Sequence, residues 1–517
     1  MQYVEKWDVF EVTLSGKSDG NPFTDYTISA VFENEGKEIC VDGFYDGSDI
    51  YKVRFMPEKE GVFHYRISGS FSDCVTEGEF TVIPPESNHN HGRVKVVDQT
   101  HLIYEDGTPY YSIGTTCYAW VNQDYDLQEQ TLETLKNSCF NKIRFCIFPK
   151  FYDYNRKEPI TYPYERGNGE GVDQNLVEKD ERERIIFPGM VIPEYDFNFN
   201  YYRFNLEHFR RFDLRIRQLR DMGIEADIIL MHPYDRWGVN MMNQECCDLY
   251  IKYVTARFSA YRNVWWSLAN EYDLMKTKTL EDWERYAAII QEKDPYQHFC
   301  SIHNCFEFYD YHKNWITHCS MQRIDFYRHV EYTDEYAEKY KKPIVWDEIG
   351  YEGNIHVGWG NLPAQELVRR FWEAFLRGGH AGHGETYLDE QDILWWSHGG
   401  ILKGECEKRL AFLLKICKET PGRYLKVGKG IFDEAVGISE ETVQTTGTAG
   451  GLYEIHYYGI GQPAFRMLYL PEDSEYEIDV IDTWNMTVTS VGIHKGVTRI
   501  ELPQKQYMAI RMKRVSE

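Results

Sequence analysis

The chain has 517 residues, more than one compact core organises, so two or three domains are expected. Its 82 Asp and Glu outnumber 57 Lys and Arg, and the resulting charge of −25 repels phosphate backbones and argues against a nucleic-acid partner. An apolar fraction of 42% excludes general disorder, and the 15% of aromatic residues suits either rings stacked on flat ligand faces, sugars included, or aromatic sandwich cores.

The opening Met1-Gln2-Tyr3-Val4-Glu5-Lys6-Trp7-Asp8 lacks a basic start followed by an apolar run, so no signal peptide is expected. Nowhere do roughly 18 apolar residues follow one another, so no membrane contact is expected either. The 12 cysteines are scattered, with Cys246-Cys247 the only close pair, and Cys117, Cys146, Cys300 and Cys319 sit in apolar runs where a reduced thiol packs. The expectation is a cytoplasmic, reduced and metal-free protein.

Residues 1–88 read as a β-sandwich. Val9–Leu14, Tyr26–Phe32, Val53–Phe55 and Phe63–Ile67 alternate or nearly so, with Gly and Pro punctuation between them. A polar linker, Pro84-Pro85-Glu86-Ser87-Asn88, closes this part. Residues 89–424 change character, with short β-branched or aromatic runs alternating with stretches of helical period. The expected strands are Tyr111–Thr115, Lys142–Phe148, Glu225–Met231, Val264–Ala269, Cys300–His303, Thr317–Gln322, Ile344–Asp347 and a Gly-rich eighth near Ala381–Tyr387. Helices are expected at Asn205–Met222 and Ala364–Arg377. The fold class is therefore α/β, a (β/α)8 TIM barrel flanked by N-terminal and C-terminal β-sandwich domains. A charged and aromatic insertion, about Phe151 to Tyr202, follows strand two and is expected to shape the catalytic face, narrowing the cleft together with the sandwiches. Residues 425–517 are β again, with alternation in Gly451–Tyr458, Tyr476–Ile481, Met486–Val491 and Tyr507–Met512.

Two strand ends stand out. The apolar run Val264–Ala269 passes directly into Asn270-Glu271, and Pro343–Trp346 passes into Asp347-Glu348. In a barrel these carboxylates, on strands four and seven, project into one bowl from opposite sides. Glycosidic cleavage needs such a pair, one group to protonate the leaving oxygen and one to attack or assist at the anomeric carbon. Asp235, Asp273, Glu352 and Glu385 are rival carboxylates by position alone.

Asn270-Glu271 and Trp346-Asp347-Glu348 resemble the acid/base and nucleophile strands of clan GH-A retaining glycoside hydrolases. The barrel resembles the apiosidase-like subgroup (DUF4038-type), through Asp106–Tyr111, Ile143-Arg144 and Gly378–Gly384. The first domain is similar to the DUF5060-type sandwich, through Val4–Trp7, Asn21–Phe23, Gly43–Gly47 and Arg54–Pro57, and the tail to the DUF5605-type sandwich. The resemblance implies Glu271 as acid/base, Glu348 as nucleophile, Asn270 on the sugar 2-hydroxyl and Arg144 beneath the nucleophile, with no cofactor or metal. Clan members often place a sugar-binding His after strand three. That points to His232 in the run that continues to Trp237, and His303 after strand five is a similar candidate. Trp237 is a further candidate substrate contact, and Trp120, Trp395 and Trp396 are candidate stacking platforms, with one of the last two expected to meet sugar. A Tyr or His that touches the nucleophile after strand six in many clan members has no counterpart in His318–Arg323.

The function so implied is a retaining, exo-acting glycoside hydrolase that removes a terminal sugar from plant-derived oligosaccharides or glycosides by double displacement. The glycone is open among galactosyl, glucosyl, xylosyl, apiosyl and arabinofuranosyl groups. The alternatives are a catalytically inactive carbohydrate-binding protein and a transglycosidase on the same barrel. Two sandwiches offer surfaces for a homo-oligomer, with no legible interface.

Overall fold

The computed structural model describes residues 2–177, 186–187, 190–191, 195–325, 327–391, 393–421, 425–427 and 445–515. Residues 2–83 form two antiparallel-rich sheets of five and three strands. Phe10, Phe32, Phe55 and Phe80 meet between them, Phe10 stacking on Phe80 at 3.8 Å and Phe32 on Phe55 at 4.1 Å. Much of the aromatic surplus is therefore core.

Eight parallel strands follow: β1 Ile113–Thr116, β2 Lys142–Cys146, β3 Glu225–Met231, β4 Val264–Ala269, β5 Cys300–Ser301, β6 Cys319–Gln322, β7 Ile344–Glu348 and β8 His380–His383. Their ladder runs β5-β4-β3-β2-β1-β8-β7-β6, a barrel laced everywhere except between β5 and β6. That seam is stitched by the Thr317 amide to the Cys300 carbonyl at 2.9 Å and the Ser301 hydroxyl to the His318 carbonyl at 2.6 Å. No helix lies between β5 and β6. Strands β2, β3 and β4 are buried along their whole length, as expected of a parallel sheet covered by helices.

The helix Leu206–Asp221 starts where the Asn205 side chain caps the Glu207 amide, and it buries Phe209, Phe212, Ile216 and Leu219 on one stripe. Ala364–Leu376 is buried on nearly every face because it lies between the barrel and the C-terminal sheet, where Trp372 stacks on Tyr457 at 5.5 Å. A hairpin, Val94–Val97 with His101–Tyr104, packs on Trp265 and Phe299 at the amino-terminal end of the barrel. The C-terminal part is a six-stranded sheet with a two-stranded companion.

The N-terminal sandwich is fastened to the barrel by buried charge. Arg54 donates to Asp213 at 2.5 Å, and Arg257 donates to Asp213 at 2.8 Å and approaches Asp46 at 3.0 Å. No helix of the described residues is long and apolar enough to cross a membrane.

Candidate active site

Strand β4 ends at Ala269, and Asn270 and Glu271 turn out of the sheet at the carboxyl end of the barrel. Glu271 has φ +52° and ψ +55°, the left-handed region, which costs a residue with a Cβ about 1 kcal/mol or more. This turn aims its side chain into the bowl instead of along the strand. Strand β7 ends in Glu348 itself. Both carboxylates line one cavity of about 780 Å³ at the carboxyl end of the barrel.

Glu348 is surrounded by groups that favour its charge. The Tyr118 hydroxyl donates to Oε1, Arg144 Nη1 lies 3.7 Å away, and His303 Nε2 lies 3.5 Å away, an electrostatic contact longer than a good hydrogen bond. Burial alone would raise this carboxyl, but His303, Arg144 and Tyr118 outweigh it and hold the pKa at about 2. Glu271 accepts from the Tyr234 hydroxyl, from Gln322 Nε2 at 3.2 Å and from Asn270 Nδ2 at 3.3 Å. Here burial and the charge of Glu348 prevail, and the pKa is raised above the ordinary carboxylate value. Asn270 links the two halves, because its Oδ1 accepts from Arg144 at 2.6 Å and lies 3.1 Å from the Tyr118 oxygen.

The floor is charge-compensated. Lys142 donates to Asp227 at 2.8 Å and to Asp347 at 2.6 Å, while the Ser320 hydroxyl donates to Asp347 at 2.5 Å. Ser320 in turn lies 3.1 Å from His303 Nδ1, which orients that ring toward Glu348.

A model of the apiosidase-like catalytic domain matches residues 97–401. Two domains of unknown function, DUF5060 and DUF5605, match residues 3–70 and 442–513. A Bacteroides vulgatus protein solved as a candidate glycoside hydrolase is 35% identical over 100% of both chains, with a TM-score of 0.87. A family 5 glycoside hydrolase from the same organism shares the fold at 14% identity and a TM-score of 0.60, over 83% of this chain and 94% of that one. No curated protein matches the chain. The chain belongs to the apiosidase-like glycoside hydrolases.

In this hydrolase the other expected residues divide between cavity and core. Trp396 lines the cavity, whereas its neighbour Trp395 points inward and donates to Thr115 at 2.7 Å. Trp120 is enclosed against Phe145 and Trp237 donates to Glu158 at 3.1 Å, so neither is a cavity platform. His232 is also withheld from the cavity. Its Nε2 lies 3.1 Å from the Phe148 carbonyl and its Nδ1 accepts the Tyr234 amide, so it braces the turn that presents Tyr234. The rival carboxylates use their oxygens on backbone N–H groups: Asp235 on Trp237 and Asn240, Asp273 on Cys305, Phe306 and Glu307. Glu352 and Glu385 together hold the amides of residues 403–406. With His383 they are the one set among the described residues with donor atoms close enough to hold a metal ion, and they lie outside the cavity.

Among the described residues the sandwiches contribute no lining residue, and the insertion, part of which lies outside the described residues, contributes only Tyr152, Asp153 and Tyr154 at its start. Loops of the barrel make the walls instead, because the N-terminal sandwich is fastened to the helical flank at Asp213 and Arg257, away from the mouth. Four contributors escaped the sequence reading: Tyr118, Lys150, Tyr234 and Gln322. Gln322 closes β6 but reaches Glu271, and it is Tyr118, after β1, that touches Glu348. Their one sequence signal is position at or just beyond a strand end.

Proposed function

We propose that this hydrolase works by double displacement with retention, Glu348 as nucleophile and Glu271 as acid/base, within a catalytic unit of residues 89–424 flanked by sandwiches at 1–88 and 425–517. The observation that carries this is the asymmetric setting of two largely enclosed carboxylates in one cavity: Glu348 faces Arg144, His303 and the Tyr118 hydroxyl, which favour its charge, whereas Glu271 meets only the neutral donors Tyr234, Gln322 and Asn270 at hydrogen-bond range. In the first step a Glu348 oxygen bonds to the anomeric carbon, the glycosidic C–O bond breaks, and the Glu271 proton passes to the departing oxygen. Ester formation removes the charge of Glu348 and with it part of what raises Glu271. The freed carboxylate of Glu271 then takes a proton from water as that water attacks the anomeric carbon and the ester bond breaks.

Asn270, held by Arg144 and lining the cavity, is placed to meet the 2-hydroxyl. A cavity of about 780 Å³ suits a terminal sugar with a small aglycone better than a polymer laid along a groove, which favours exo-action on an oligosaccharide or glycoside.

The test is hydrolysis of aryl pyranosides and furanosides of both anomers, with Glu348→Gln alongside and the first-formed anomer read by proton NMR. The expected result is turnover of one glycone, a product of unchanged configuration, and loss of activity in the variant. An inverted product, or activity that survives Glu348→Gln, overturns the assignment.

A further inference from the structure

Two lysines are buried in the barrel, and their surroundings differ. Lys142 is 1% exposed and pairs with Asp227 and Asp347, and these carboxylates raise its pKa despite the burial. Lys150 is 2% exposed and pairs with no carboxylate among the described residues, and burial pulls its pKa down. Its ammonium sits among ring faces instead, 3.5 Å from the centre of Tyr118, 4.3 Å from Tyr234, 4.6 Å from Tyr152 and 5.3 Å from Trp396. Ring faces attract a cation, but less than its desolvation costs, so the cage compensates the charge only in part.

Lys150 lines the same cavity as Glu271 and Glu348. Both glutamates attract it through space, but neither forms an ion pair with it, because Glu348 is engaged by Tyr118, Arg144 and His303 and Glu271 by Tyr234, Gln322 and Asn270. Two of the caging rings are those whose hydroxyls hold the glutamates, which fixes the ammonium beside the sugar that reacts. An ammonium in this setting has donors to spare and no oxyanion to receive them.

We propose that Lys150 receives an oxyanion carried by the sugar next to the two glutamates, the carboxylate of a uronic acid or a sulfate ester, which makes acidic glycosides the preferred substrate class. The proposal rests on the glycosidase reading above and adds the charge of the glycone to it.

The probes are 4-methylumbelliferyl glucosides and galactosides of both anomers, the matching uronides and the matching 6-sulfates. Each is assayed with the wild type, Lys150→Gln and Lys150→Arg, and glucuronate, galacturonate, glucose and galactose are titrated calorimetrically. For an acidic probe, kcat/KM should exceed that of its neutral partner by about 100-fold, the size of one charge-assisted hydrogen bond. Lys150→Gln should remove that preference, lowering the acidic rate about 100-fold more than the neutral one, and Lys150→Arg should restore part of it. Whether the uronide or the sulfate is cleaved identifies the source of the oxyanion. A wild type that prefers neutral glycosides, or a Lys150→Gln variant that loses neutral and acidic rates equally, overturns the proposal and leaves the hydrolase reading intact. If nothing is cleaved, calorimetry decides. Sugar acids bound at least about tenfold more tightly than neutral sugars, through Lys150, keep the proposal whatever the fate of the double-displacement reading, whereas no such difference overturns the proposal.

Discussion

Tyr234→Phe tests the role proposed for Glu271 as proton donor. The substitution keeps the ring, and so the aromatic surroundings of Lys150, but removes the hydroxyl that donates to Glu271 Oε2. That hydrogen bond favours the carboxylate, and the remaining donors are longer, Gln322 at 3.2 Å and Asn270 at 3.3 Å. A hydrogen bond to a charged group contributes roughly 1.5–3 kcal/mol, and each 1.36 kcal/mol is one pKa unit, so the Glu271 pKa should rise by about 1–2 units. Glu271 must be protonated to act as acid, so activity falls as pH rises through its pKa. The basic limb of kcat/KM should therefore move to higher pH by that amount. The assay is a pH profile from about 5 to 10 on a methylumbelliferyl glycoside, whose departure needs a proton, with a dinitrophenyl glycoside as the insensitive control. A basic limb that stays in place, or moves to lower pH, would refute the reasoning.

Glu225, at the start of β3, is buried with its carboxyl pushed up to about 8 and one partner, Trp265 Nε1 at 3.0 Å. A raised acid contributes most below its unfolded pKa, and that contribution is lost as pH rises toward 8. Glu225→Gln should therefore stabilise the protein at pH 9 by roughly 5 kcal/mol at most, read as a higher melting temperature, and change little at pH 5. A larger effect at pH 5 would contradict this. Asp213→Asn removes the charge shared by Arg54 and Arg257 and leaves two buried guanidiniums under-compensated, so unfolding in urea should show a loss of about 3–5 kcal/mol with KM unchanged. Wild-type stability in that variant would mean that the sandwich is held by its apolar contacts instead.

The barrel was legible because each strand is a local pattern, and β3 and β4 match their expected limits to the residue. The shortest strand, β5, was read as Cys300–His303 and is Cys300–Ser301. Beyond Ser301 the chain leaves the ladder for side-chain bonds that no periodicity records. The pair Glu271 and Glu348 was visible because an apolar run that stops on a carboxylate is unusual in itself. Tyr118 and Tyr234 were not visible, since in a chain with 39 Tyr nothing local distinguishes a tyrosine that holds a glutamate from one that fills a core. Trp395 and Trp396 are indistinguishable in the sequence. Adjacent residues on one short helix face opposite ways, and only the packed barrel decides which of them sees the cavity.

The unlaced seam between β5 and β6 gives this barrel a direction in which it can breathe. Across it, Asn304 Nδ2 holds the Gln322 carbonyl at 3.1 Å, and the Gln322 side chain reaches on to Glu271. A backbone ladder joins strands by a regular row of bonds, whereas this seam is closed by separate bonds from the Thr317 amide, the Ser301 hydroxyl and the Asn304 side chain. A fluctuation that parts β6 from β5 carries Gln322 with it and lengthens its bond to Glu271. The one line of the cylinder without a backbone ladder therefore ends beside the carboxylate proposed to give up and recover a proton in every turnover, and its spacing there is set by side chains.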